Sequence, residues 1–290
     1  MKKIKKLPFA STGLLLGIVA LGNLMKNFNP ILSNLLFGLA GLLFFALLIK
    51  INKCTDELNN ILSKSLPTSS LPTFTMALML TGTHLPFFWY LGILLHLGFI
   101  VHFTRLIWKK AELKDIYPSW YIIYVGLAAG AITVPQVGIP ALGWFCWLFG
   151  LVSYLILLPS ILYRLKTIAI PAENKLNIAI LAAPASLLLL GALSLKISWT
   201  IVPLLVLSQT FYFWTIFLLR NVWKTPFVLI WSGMTFPSVS TATALRGSLL
   251  YLGISNPLLS SLSALEIIFA STIVMIVAAH YLNFVYNKKD

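Results

Sequence analysis

The placement of the basic residues constrains this chain more than any other feature. All but Lys26, Lys196 and Arg246 of its 21 Lys and Arg fall in alternate gaps between long apolar stretches. The basic gaps hold Lys2 to Lys6; Lys50, Lys53 and Lys64; Arg105, Lys109, Lys110 and Lys114; Arg164, Lys166 and Lys175; Arg220 and Lys224; and Lys288 with Lys289. Positive charge on every second loop marks a polytopic membrane protein with those loops and both termini in the cytoplasm. Of the 290 residues, 59% are hydrophobic and 10% charged, against about 25% charged in a soluble domain. We therefore expect one transmembrane domain over residues 1–290.

The formal net charge of +14 does not point to nucleic acid. The basic residues are scattered over loop ends that meet anionic headgroups, and no basic run is interleaved with aromatics. Cys54 and Cys146 read as reduced thiols, without CxxC spacing or a disulfide framework. Met1 to Lys6 followed by Leu14 to Leu21 mimics a signal peptide, but its removal would break the inside-outside alternation, so we expect it to be retained.

A crossing needs roughly 20 apolar residues. Counting such runs gives ten spans: Phe9 to Met25, Ile31 to Ile51, Pro72 to His84, Leu85 to Trp108, Pro118 to Pro135, Ile139 to Tyr163, Leu176 to Leu195, Trp199 to Trp223, Pro226 to Leu252 and Pro257 to Tyr286. Even-numbered spans are rich in Leu, Ile and Phe, whereas odd-numbered spans combine Pro with Gly, Ser, Thr and Ala. The prolines Pro8, Pro72, Pro118, Pro184 and Pro237 recur at roughly 45 to 65 residues, the length of a helical hairpin of two spans. Small residues and helix-kinking prolines belong inside a bundle or around a cavity. The expected architecture is all-α, five hairpins with a ring of five inner helices around a central pathway and Leu-rich partners facing lipid.

The motifs, taken in order, resemble a family. They are Leu7-Pro8 with Gly13, Pro118-Ser119-Trp120, Ala182-Ala183-Pro184-Ala185, Leu218-Leu219-Arg220, and Trp231-Ser232-Gly233-Met234-Thr235-Phe236-Pro237. The chain is similar along its length to bacterial tellurite-resistance and C4-dicarboxylate transporters of the TehA type, yeast malate permease and plant slow anion channels. The resemblance implies ten helices in quasi-fivefold packing, one pore per subunit, a homotrimer, and a pore-blocking phenylalanine, carried over here to Phe236. We expect a bacterial inner-membrane location.

On a helix, Ser240, Thr243 and Gly247 fall within about 40° of Phe236. A bulky ring among small residues can close a narrow pore by dewetting. Ser11, Thr12, Thr133, Ser186, Thr235, Ser238, Ser240 and Thr243 are candidate pore-lining hydroxyl donors for an anion, although Ser and Thr also bond back to their own helix. Asp56, Glu57, Glu112, Asp115, Glu173 and Asp290 fall in cytoplasmic zones, so Glu266 is the one acid within a span. Inner spans without carboxylates argue against a cation path. Arg246 and Glu266 are expected to pair between the ninth and tenth spans; alternatively Arg246 makes the outer vestibule positive. His84, His96, His102 and His280 have no metal-site spacing, and we expect no metal, cofactor or enzymatic activity. The expected function is an anion channel or channel-like uniporter for chloride- or nitrate-like ions. A dicarboxylate or tellurite carrier of the same fold is the alternative. A lipid-modifying enzyme would need a cluster of catalytic side chains at one membrane face, which the sequence lacks.

Overall fold

Four of the long helices begin where the sequence places proline. In the computed structural model, which describes residues 2–108, 111–221 and 227–287, the architecture is all-helical. The chain runs α1 (Ser11–Met25), α2 (Pro30–Lys53), α3 (Thr73–Thr81), α4 (Pro86–Ile107), α5 (Trp120–Ile132), α6 (Pro140–Thr167), α7 (Ala172–Leu195), α8 (Ser198–Leu218), α9 (Thr235–Tyr251) and α10 (Pro257–Asn287). Pro30, Pro86, Pro140 and Pro257 each open a long helix, where the missing N–H breaks no intrahelical bond. Asn29 caps α2 by accepting from the Leu32 N–H at 3.1 Å. Asn256 does the same for α10, accepting from the Leu258 N–H at 2.9 Å.

Among the described residues, α2, α4, α6, α7, α8 and α10 are long and apolar enough to cross a membrane. The expected third, fifth and ninth spans are not single helices. The third is α3 preceded by a separate helix, Ser65–Ser70. In α5 a 3-10 turn, Val125–Ala128, interrupts the helix, and a further short helix, Val134–Val137, follows. A 3-10 segment, Leu229–Met234, precedes α9, and the first part of α7, Ala172–Ala182, is also 3-10.

The five marker prolines therefore do not kink continuous α-helices. Pro8 precedes α1 and Pro118 precedes α5, Pro72 is the residue before α3, Pro184 is second in the α-helical part of α7, and Pro237 is third in α9. A residue with fixed φ and no N–H suits the first helical turn and is costly further in. The prolines inside long helices are instead Pro159 in α6 and Pro203 in α8. Lys109, Lys110, Lys224, Lys288, Lys289 and Asp290, with the expected span limits Trp223 and Pro226, lie outside the described residues.

Burial separates the elements into two layers. Only 22% of the apolar window in α2 is buried, against 78% in α7. Ile31, Leu35, Leu39 and Leu42 of α2 and Leu258, Leu265, Ile268 and Met275 of α10 are exposed, a surface suited to hydrocarbon and not to water. Every residue of α1 except Asn23 is buried. Inside, α1 packs on α3 and α9, α3 on α5, α5 on α7 and α7 on α9, so the contacts return to their start.

Helices that end inside a membrane leave carbonyls that lipid cannot satisfy. Neighbouring side chains supply the donors. At the end of α3, the Met79 carbonyl accepts from the Thr133 hydroxyl at 3.0 Å and the Leu80 carbonyl from the Asn23 amide at 3.0 Å. At the end of α5, the Gly130 carbonyl accepts from the Trp89 indole at 2.9 Å and the Ile132 carbonyl from the Ser194 hydroxyl at 2.8 Å. His96, fully buried in α4, donates through Nε2–H to the Ile123 carbonyl at 3.0 Å and faces the Thr75 hydroxyl at 2.6 Å, tying α4 to both broken helices.

α1 and α9 approach one another closely. A Cβ added to Gly17 would lie 2.4 Å from Thr235 Oγ1 and 2.5 Å from its Cβ. We expect Gly17→Ala to force these elements apart at a cost of about 1–3 kcal/mol, read as a lower melting temperature in detergent. Gly38→Ala, with nothing within 4 Å of the added atom, should leave that temperature unchanged.

Candidate functional site

The first turn of α9 is held from both sides. The Thr235 hydroxyl lies 3.0 Å from the Gly13 carbonyl of α1 and 2.8 Å from the Ser232 carbonyl, and donates to one or shares its proton between them. This fixes the backbone beside Phe236, whose ring is 6% exposed and stands where two cavities meet. On one side is a narrow inner chamber lined by Gly13, Thr73, Met76, Tyr121, Ala183 and Ser232 among others. On the other is a wider outer vestibule bounded by Asn23, Lys26, Thr83, Thr133, Gln136, Ser240 and Thr243. A third space, the inner vestibule, shares Gly13, Thr73, Ile122 and Ser232 with the chamber and reaches Pro8, Glu57 and Asn174.

The lining residues recur at helical spacing on each inner element. They are Gly13, Leu16, Ala20, Asn23 and Asn27 from α1 and the turn after it; Thr73, Met76, Leu80 and Thr83 from α3 and the turn after it; Ile180, Ala183, Leu187 and Leu190 from α7; and Gly233, Phe236, Ser240 and Thr243 from α9 and the 3-10 segment before it. Steps of three and four keep one face of a helix on one line. The broken α5 contributes Ile122, Val125 and Ile132 and is followed by Thr133 and Gln136. The chamber residues Gly13 and Thr73 belong to the first turns of α1 and α3, and Ala183 and Phe236 lie where 3-10 segments pass into α-helix. The N–H groups there are themselves engaged: Thr12 donates to the Phe9 carbonyl at 3.1 Å and Gly13 to that of Ala10 at 3.2 Å.

The candidate hydroxyls divide. Thr133, Ser240 and Thr243 line the outer vestibule. Ser11, Thr12 and Thr235 are buried and lie within hydrogen-bonding distance of the Pro8, Phe9 and Ser232 carbonyls three residues back; they line none of these three spaces. Ser186 is fully buried in a hydroxyl cluster with Ser208 at 2.8 Å and Thr241 at 2.9 Å, between α7, α8 and α9. Ser238 donates to the Met234 carbonyl at 2.9 Å and faces a different cavity, behind α9. Back-bonding satisfies a hydroxyl in apolar packing, and small size lets helices close on it.

The expected pair of Arg246 and Glu266 does not form. Arg246 is turned toward α1, its guanidinium 4.2 Å from the centre of the Phe28 ring. Glu266 is 4% exposed and faces the neutral Gln209 amide of α8, with no cationic side chain paired to it. The charges that do reach the cavities were less conspicuous in the sequence. Lys26 sits at the outer vestibule, and Glu57 at the inner one accepts from Lys50 Nζ at 2.5 Å, which also donates to the Lys5 carbonyl at 2.8 Å. Burial and the Lys26 ammonium hold His84, in the turn between α3 and α4, below the usual imidazole range. Among the described residues no three His, Cys, Asp or Glu side chains gather as a metal site would require.

A helical protein with an apolar outer layer and an internal path lined by its inner helices belongs to the class of membrane transport proteins. The family model described as SLAC1, voltage-dependent anion channel, matches residues 6–282. The chain belongs to this family, which includes the TehA-type proteins, plant slow anion channels and malate permease relatives. No similar sequence was found among curated proteins. The family's members are channels and transporters, and its chemistry is the passage of anions.

The outer charge is testable in that light. One unit charge at about 8 Å in water is worth roughly 0.5 kcal/mol. Lys26→Glu should therefore lower anion flux from the outer side by a few-fold at low ionic strength, and the deficit should shrink as salt is raised. Flux from vesicles at two salt concentrations reads both effects.

Proposed function

We propose that this protein is a passive anion channel, or channel-like uniporter, for small monovalent anions such as chloride and nitrate, and that Phe236 is its gate. The observation that carries this reading is the meeting of the inner chamber and the outer vestibule at one buried ring, with lining stripes from each inner element. The closed cycle of inner contacts supports ten helices in five hairpins, quasi-fivefold around a single pore within one transmembrane unit of residues 1–290. The family resemblance supports a homotrimer in a bacterial inner membrane.

The lining favours a channel over a dicarboxylate or tellurite carrier. No Lys, Arg or His borders the inner chamber, whose walls, apart from Thr73, Tyr121 and Ser232, are glycine and apolar side chains. Dehydration cost rises with the square of the charge, so an anion crossing such a chamber meets the smallest barrier when it is monovalent and weakly hydrated. A dianion needs cationic partners, and Lys26 lies beyond the ring, in the outer vestibule.

Planar-bilayer recording of the purified protein tests this. Phe236→Ala should raise anion current at least about tenfold, equivalent to roughly 1.4 kcal/mol off the barrier, with nitrate passing more readily than chloride and malate hardly at all. A folded variant that does not conduct, or saturable malate uptake unaffected by the substitution, would overturn the reading.

A further inference from the structure

The path just described makes no use of the one acid inside a span. Glu266 lies on α10 and is buried. From α8, Gln209 and Tyr212 stand beside it, and the neutral Gln209 amide is the one side chain placed to donate to its carboxyl group. On its own helix, Ser263 is 3% exposed and its hydroxyl is unpartnered. The other elements packed on α10 are α9, α1, the Leu229–Met234 turn and the Lys2–Lys5 helix. α1 and the turn carry no ionisable side chain. On α9, Arg246 is engaged over Phe28, and Tyr251 exchanges a hydrogen bond with Ser198 at 2.8 Å. The Lys5 carbonyl is taken by Lys50. An anion at Glu266 would therefore be desolvated without a counter-charge, the costliest state for a carboxyl group in a membrane.

We propose that Glu266 is a proton-binding site whose occupancy sets the position of α9, and with it that of Phe236. The inference rests on Phe236 being the gate. Its route is contiguous: Tyr212, beside Glu266, also lines a small cavity together with Thr215, Phe269, Ser238 and Pro237. Pro237 borders the inner chamber on its other side. The first turn of α9 thus has unfilled space behind it, toward Glu266, and the Thr215 hydroxyl there has no partner.

The coupling has a defined sign. With its proton, Glu266 is neutral and compatible with the present packing of α8, α9 and α10. When the carboxyl O–H breaks and the proton passes to water, the remaining carboxylate must gain water or Arg246, and either requires α9 to shift relative to α10. Protonation therefore accompanies the closed path and deprotonation the open one. Current should rise with pH.

The experiment is single-channel recording of the purified full-length protein from mildly acidic to mildly alkaline pH. The open-to-closed ratio of the unmodified protein should rise by up to about tenfold per pH unit, the limit for one coupled proton. Glu266→Gln, a neutral isostere, should be closed and flat with pH, Glu266→Asp should keep the slope, and Phe236→Ala should conduct at every pH. A slope that survives in Glu266→Gln, or a flat profile in the unmodified protein, overturns the proposal. Infrared spectroscopy separates the two readings: the unmodified protein should show a buried carboxylic-acid band that Glu266→Gln lacks. Absence of that band overturns the proton site whatever Phe236→Ala does; its presence with a silent Phe236→Ala rejects the gate and, with it, the coupling.

Discussion

The hydrocarbon of a membrane accepts no unpaired backbone group, and this constraint organises the molecule. Inner elements that stop short or turn into 3-10 geometry gain further donors from side chains that reach the carbonyls at their ends. Trp89 and Ser194 serve α5, while Asn23 and Thr133 serve α3. The outer layer is therefore more than an insulating jacket. Through Trp89 and His96, α4 adds donors to the broken helix it encloses, and Trp147 of α6 donates to the Leu188 carbonyl within α7 at 2.8 Å.

The broken inner elements also bring side chains near the axis of the molecule without long residues. Gly13 and Gly17 let α1 meet the start of α9 at backbone distance, and Thr235 fills the remaining gap with a hydrogen bond. Phe236 follows directly and has little freedom to settle elsewhere. The same geometry leaves space behind Pro237, so the front of this turn is tightly packed and its back is not.

Much of this was legible in the sequence, for physical reasons. Charge alternation reflects a membrane constraint on loops, and the contrast between Leu-rich and Pro-Gly-rich stretches reflects which helix sees lipid. The family those motifs resemble is the one whose model matches residues 6–282. The breaks in α5 and before α9 were harder to read, because apolar composition persists through a 3-10 turn and only the bonding pattern changes. The lining stripes were hidden for a related reason: an inner helix is apolar toward its neighbours and largely apolar toward the path, so no amphipathic contrast exposes the face. Asn23 carried a signal that was passed over, a lone amide in an apolar stretch three residues from Ala20 and four from Asn27. Hydroxyl chemistry alone could not separate Thr133 and Thr243, which border the vestibule, from Thr12 and Ser186, which close helix packing. The side to which Arg246 turns depended on Phe28, distant in sequence.

Each level of the internal path is assembled from different residues of one chain. In a channel built from identical subunits, one substitution changes an entire ring at once. Here a change at Thr83, Leu190 or Ser240 alters one sector of the wall and leaves the rest as it was. Such a path can drift in its preference by small steps while the scaffold stays intact, a graded evolvability that symmetric pores lack.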